Sequence, residues 1–293
     1  MRFSKFSKTG SLAILMGSML VACGGGGGSA SPSPVPPVSV PPVTVPPVPP
    51  VPATGYALPG VGSANYAGPQ GVFDAPNGTF DPVVTILDTG EVYGIDLIGS
   101  RVAGMFHGAV SGSASQISGP ALTEYNSVDG NLLQAASLTA NYSAPDLALT
   151  LKFPFGTFAS TGHGQKPYAA TDSRAIYDNP LPLANLAAGY QGVMTLVGTT
   201  LSGDVAVTGM QVQADGGFTF KVDTCDISGK FAAHGSKGVF DAQATVSGTA
   251  CPANGAMKGI MLPLSVSAGT TRLAFYLIKL DGSSAAVLLA NKN

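Results

Sequence analysis

The residues of this 293-residue chain best equipped for chemistry are few: three histidines, two glutamates and three cysteines. His107, His163 and His234 sit in MFHGA, TGHGQ and AAHGS, each followed by glycine, so turns or strand ends are expected for all three. No HExxH occurs, and no pair of histidines four apart could chelate zinc from one helix. A Ser-His-Asp triad assembles in space rather than in sequence, but the mature chain lacks the G-x-S-x-G elbow and its strand-turn-helix setting. A hydrolase is therefore the least favoured reading. Acid pairs for glycosidic chemistry must face one another across a cleft. Only two glutamates exist, Glu91 and Glu124, and Glu91 falls in a hairpin turn, while most aspartates lie where their side chains cap local amides. Around VDTCDISG, Asp223 and Asp226 flank Cys225, yet the spacing is not that of an EF-hand loop, and a solvated turn fits better. TGHGQKP at 161–167 lacks the Walker pattern and reads as a mobile loop. The expectation is a non-enzyme with no catalytic residue, no cofactor and no metal site.

The elements that would carry these residues are strands. In DLALTLKF, Leu147, Leu149, Leu151 and Phe153 share one face while Ala148, Thr150 and Lys152 share the other. GFTFKV repeats the pattern with Phe218, Phe220 and Val222, and similar stretches are VVTIL at 83–87, LTANY at 138–142, VFDAQATV at 239–246 and TRLAFYLIKL at 271–280. One apolar and one polar face is the mark of antiparallel strands covering a core on one side. PNGT at 76–79, DTGE at 88–91, VDGN at 128–131, ADGG at 214–217 and LDGS at 280–283 punctuate them with the Asn-Gly and Asp-Gly pairs that tight hairpins use. The only helical candidate is LPLANLAAG at 181–189. The fold class is all-β, an antiparallel barrel or sandwich. PQGVF at 69–73 and YQGVM at 190–194 each open a β-rich stretch, and each stretch later carries ISG. This weak echo suggests two tandem halves, 55–180 and 181–293, with a junction at Tyr177–Val193. Nine tyrosines are spread along the chain; the amphipathic ring suits binding surfaces, but strand packing accounts for most of them.

The N-terminal fifth is of a different kind. MRFSKFSKTG carries Arg2, Lys5 and Lys8 and no acid, and the apolar SLAILMGSMLVA follows. A basic start, a short apolar run and small residues at its end predict a secretory signal over 1–22, too short to span a bilayer. From 23 to 54 the chain is Cys23 followed by a Gly/Pro-rich linker expected to be disordered. Its PVPPVSVPPVTVPPVPPVP tract should be polyproline II, about 3.1 Å per residue, so that twenty residues reach about 60 Å. Removing Arg2, Lys5 and Lys8 from 14 Lys plus Arg leaves 11 against 16 acids, a net of about −5. That balance offers nothing to nucleic acid or anionic lipid, which attract clustered Lys and Arg.

LVAC, Leu20 to Cys23, resembles the lipobox of bacterial lipoproteins. The resemblance implies cleavage before Cys23, diacylation of its thiol and a third chain on the new terminus; more than one acyl chain is needed for stable anchoring. With Gly24 rather than Asp after the cysteine, the family pattern implies the outer membrane of a Gram-negative cell, on its surface or its periplasmic side. The lipobox, the Gly/Pro spacer, LANLAAGYQG and the later DTCDISGK and VSGTAC are similar to uncharacterised two-part β-rich lipoproteins of Gram-negative bacteria, which implies architecture but no activity. With Cys23 acylated, Cys225 and Cys251 remain, and a disulfide between them is the expectation in an oxidising compartment, stabilising by about 3–4 kcal/mol. A metal pair is the alternative, but no neighbouring Cys or His completes a set. The leading functional expectation is a membrane-anchored, non-catalytic binding or structural module with an unidentified protein or small apolar ligand as partner. The alternative is a lipocalin-like carrier of a small apolar ligand.

Overall fold

The computed structural model describes residues 65–74, 82–98, 101–127, 132–154, 156–164, 176–198, 203–267 and 270–293. The signal, Cys23, the linker and the PNGT and VDGN turns lie outside the described residues.

Nine strands form the first sheet: β1 Gly71–Asp74, β2 Val83–Ile86, β3 Glu91–Ile98, β4 Arg101–Ala109, β5 Ser111–Gly112, β6 Gln116–Asn126, β7 Leu132–Ser143, β8 Asp146–Phe153 and β9 Gly156–Gly164. All neighbours are antiparallel, β1 pairs with β9, and pairing of β4 with β6 closes the ring. β5 carries the path of β4 past Val110 and stays on β6, so eight strand positions make the circuit. The second sheet is an eight-stranded meander closed by its ends: β10 Ala188–Val197, β11 Gly203–Val212, β12 Gly217–Val222, β13 Cys225–Ala233, β14 Phe240–Ser247, β15 Gly255–Ser267, β16 Thr270–Lys279 and β17 Ala285–Lys292. The fold is thus all-β with two tandem barrels. The one helical candidate, 181–189, shrinks to a single 3-10 turn at Leu183–Leu186, after which β10 begins. Leu186 is buried in the interior of the second barrel, and the Tyr190 hydroxyl donates to its carbonyl at 2.8 Å.

Alternation builds the two interiors. Leu147, Leu149, Leu151 and Phe153 point into the first barrel with Phe73, Val84, Val92 and Phe106. In the second, Phe240, Ala242, Ala244 and Val246 point inward while Asp241, Gln243, Thr245 and Ser247 are exposed. Its centre is aromatic: the Phe218 and Phe231 rings stack at 4.3 Å between centroids, and Phe275 meets Phe231 edge-on at 4.9 Å.

A third core lies between the barrels. Val72, Val83, Tyr93, Ile95 and Met105 on the outside of the first barrel are buried with Ile260, Leu262, Ala274, Tyr276, Ile278, Val287 and Leu289 on the outside of the second. β2, the centre of β3 and β4, β16 and most of β17 are therefore buried on both faces. This corrects the one-sided reading of VVTIL and TRLAFYLIKL: their "polar" faces are filled by the neighbouring barrel, as unbroken apolar runs require. Two rows meet there. Thr85, Tyr93, His107 and Thr123 are register partners across β2, β3, β4 and β6. Ile260, Tyr276 and Val287 are partners across β15, β16 and β17. The Tyr93 and Tyr276 rings touch edge-on at 5.9 Å.

Turn chemistry follows the sequence in part. At DTGE and ADGG the loops are three residues long, and the glycine, Gly90 or Gly216, takes the left-handed conformation at φ 77° or 87°. They are bulged three-residue hairpins rather than two-residue turns.

Cys225 and Cys251 form a disulfide with Cα atoms 5.0 Å apart, tying the start of β13 to the β14–β15 connection. With a sequence separation of 26, replacing both cysteines by serine should remove about 3 kcal/mol. Urea denaturation of the two forms measures this; equal midpoints would show that the bridge adds nothing to a barrel already closed by hydrogen bonds.

Candidate functional site

Polar side chains with partners that sequence could not supply gather in two places between the barrels and one place inside the first.

The first cluster is buried. Glu91 opens β3 instead of lying in the hairpin turn expected for it, and His107 sits well inside β4 rather than at a strand end. The His107 Nε2 lies 2.8 Å from Glu91 Oε1, and the Tyr93 hydroxyl donates to the same oxygen at 2.7 Å. The side chains of His107 and Glu91 are only 7% and 12% exposed. Burial pushes the Glu91 carboxyl up, but the His107 and Tyr93 hydrogen bonds and the charge of Lys258 outweigh it and leave the group below its ordinary value. Tyr93 is raised well above the usual phenol range by burial and by the Glu91 charge beside it. A histidine oriented by a carboxylate is half of a catalytic device. Here the pair is largely buried on the side of the first barrel that faces the second, and its hydrogen bonds satisfy polar groups inside an apolar seam.

The second cluster crosses the rim of the same seam. His234, just after β13, has Nδ1 2.8 Å from Asp241 Oδ1 in its own barrel and Nε2 3.0 Å from Asp88 Oδ1 in the β2–β3 turn of the other. The Asp241 hydrogen bond is the larger influence; burial opposes it, and with the two aspartate charges the imidazole is raised to about 9. Nearby, Lys237 pairs with Asp178 at 2.8 Å and lies 4.7 Å above the Tyr177 ring, while the Gly238 N–H donates to the Tyr177 carbonyl. The fully buried Tyr177 thus fixes the segment joining the barrels. On another part of the rim, Arg101 Nε donates to Asp204 at 2.8 Å and the Tyr125 hydroxyl to the Gly282 carbonyl at 3.1 Å.

These ties carry a pH prediction. Because the folded value of His234 lies above the unfolded 6.5, its contribution is fully present below pH 6.5 and is lost as pH rises through about 9. Both aspartates are about half exposed, so solvent screening reduces the effect to about 1–2 kcal/mol. Melting temperatures from pH 5 to 10 should fall across this window in the parent chain, and the fall should flatten in His234→Gln. An unchanged slope in that variant would assign the pH dependence to other groups.

The third place is the interior of the first barrel. Asp96, Glu124 and Asn126 project inward from β3 and β6 and are 8%, 2% and 5% exposed; Asn126 Nδ2 donates to Glu124 Oε1 at 3.3 Å. Glu124, for which the sequence offered no placement, is a core residue.

The remaining expectations fall as follows. His163 lies in β9, so 161–164 of TGHGQKP is strand, and 165–167 lies outside the described residues. Asp223 takes a positive φ of 50° between β12 and β13, and Asp226 pairs with Lys221 at 2.8 Å. Tyr93, Tyr125, Tyr177, Tyr190 and Tyr276 are all buried and serve as core residues. Among the described residues no three His, Cys, Asp or Glu side chains are grouped to hold a metal ion. Among the described residues no helix is long and apolar enough to cross a membrane. No protein-family model matches this chain, and neither a curated protein nor a solved structure is found that is similar to it.

Proposed function

We propose that the chain is an outer-membrane-anchored lipoprotein of a Gram-negative bacterium whose tandem barrels form a non-catalytic binding or structural head. The observation that carries this reading is the third core. Two barrels fused through buried outer faces make one stiff body whose other outer faces, such as the Asp241, Gln243, Thr245 and Ser247 row of β14, are polar and exposed. Closed sheets also leave no long edge for unwanted pairing. A stiff head on a proline-rich arm suits presentation at a distance from the lipid. The lipocalin-like alternative gains less support, because aromatic side chains fill the centre of the second barrel.

The anchor is tested by growing cells with an alkyne-bearing palmitate analogue. The parent chain should incorporate the label and sediment with membranes, while Cys23→Ala should be unlabelled and recovered in the soluble fraction. An unlabelled parent, or a Cys23→Ala chain that still sediments, would overturn the reading. Protease treatment of intact cells then assigns the head to the outer or the periplasmic face.

A further inference from the structure

We propose that the outer face of the second barrel, where Arg272, Asn291 and Gln191 stand side by side on β16, β17 and β10, binds a carboxylate carried on a short aliphatic chain. This goes beyond the anchored-head reading, does not depend on it, and puts the ligand on the outside of a barrel rather than within one.

Register sets the row. Asn291 pairs with Arg272 on one side and with Gln191 on the other, so neighbouring Cβ atoms lie about 5 Å apart. All three belong to the outward face, because their chain neighbours Leu273, Ala290 and Tyr190 fill the barrel interior. Asn291 and Gln191 are exposed and Arg272 is partly so. Arg272 takes no part in the ion pairs that hold Arg101, Lys221, Lys230, Lys237 and Lys279. Its Nε is buried and has no hydrogen-bond partner. A buried N–H of a charged group without an acceptor is costly and calls for a reason.

The adjoining row gives a second, independent indication. Two residues along each strand, Ala274, Leu289 and Val193 are register partners on the same face. This row starts in the core between the barrels, where Ala274 is fully buried, and runs out into solvent at Val193, which is 45% exposed. Among the described residues only Ile98 and Leu133 are large apolar side chains of comparable exposure. An apolar shelf therefore ends beside a cation and two amides. Neither row carries an acid, and Asp204, beside Thr195 in the row beyond, is already held by Arg101 and by the Thr195 hydroxyl. One guanidinium balances one negative charge, and its planar fork next to an amide donor matches a carboxylate. The shelf takes the aliphatic chain, whose removal from water adds to the binding. A dianionic phosphate would leave a charge unbalanced and the shelf unused.

The test is a titration of the purified full chain, labelled with carbon-13 in its valine methyls and nitrogen-15 in its arginines, with hexanoate. The Val193 methyl and Arg272 Nε–H resonances should move together and saturate. Hexanol, which lacks the charge, acetate, which lacks the chain, and inorganic phosphate should each bind at least tenfold more weakly. Arg272→Gln should weaken hexanoate binding at least tenfold. Val193→Ser, at an exposed position where the fold is not at risk, should weaken it severalfold. Resonances that never saturate, equal affinity for hexanol, acetate or phosphate, or unchanged affinity in either variant would each overturn the proposal.

Discussion

Tyr276→Ala is expected to destabilise the protein by about 3–5 kcal/mol, the range for removing a fully buried aromatic side chain. Tyr276 is 0% exposed and sits at the centre of the third core, with Ile260 and Val287 beside it and the Tyr93 ring against it. Its hydroxyl lies next to that of Thr85 on the opposite barrel. Truncation would open a gap lined by two rigid sheets whose backbones are fixed by their own closure, so collapse around it would be slight and the loss should fall high in the range. The substitution leaves all sixteen long strands paired. Its effect therefore reports on the seam between the barrels rather than on either interior. Urea denaturation followed by circular dichroism should show the midpoint falling. A loss below about 1 kcal/mol would mean that the seam is soft and the barrels nearly independent.

The second large effect has the opposite sign: Asp96→Asn should stabilise. An acid whose folded value is raised, here from 3.8 to about 7, favours the unfolded chain, which gives up its proton first. Stability is thereby lost as pH rises from 3.8 to about 7 and stays at the lower level above that. The full shift corresponds to about 4 kcal/mol at the upper end. Asparagine keeps the shape and removes the charge, so its advantage should be nil near pH 3.5, grow through pH 7 and then level off. Parallel denaturation of both chains at pH 4, 6 and 8 checks this. A variant less stable than the parent at pH 8 would show that the carboxylate has a partner in the folded chain.

The interiors were legible in the sequence because each inward row alternates with a solvated one, as in DLALTLKF, GFTFKV and VFDAQATV. Strands buried twice were not. In LAFYLI and AAVLLA both faces are apolar, and a run of that kind gives the number of buried faces only once its neighbour is known. The seam's polar groups were hidden for the same reason. Glu91 reads as a turn residue because it follows Asp-Thr-Gly, and only the pairing of β3 with β4 brings it to His107. His234 finds its second partner 146 residues away. The Cys225–Cys251 bridge was simpler, since the expectation that two such thiols pair depends on no fold, and the disulfide is present.

The closure of the second barrel has a consequence for the order in which the chain can fold. Seven of its eight strand pairings are hairpins, but the eighth joins β10 to β17, where Tyr190 faces Lys292. A chain emerging N-terminus first during synthesis could form β10 to β16 in order, yet it would hold two unpaired edges until the last strand arrived. The third core would wait as well, because Val287 and Leu289 on β17 belong to it. Long-range closure of this kind is slow relative to hairpin formation. Most of the cooperativity of this head is therefore gained in one late step, and a chain stopped before Ala285 should remain digestible by protease. The final strand is thus the keystone of the molecule: until it is in place, neither the second barrel nor the core between the barrels is complete.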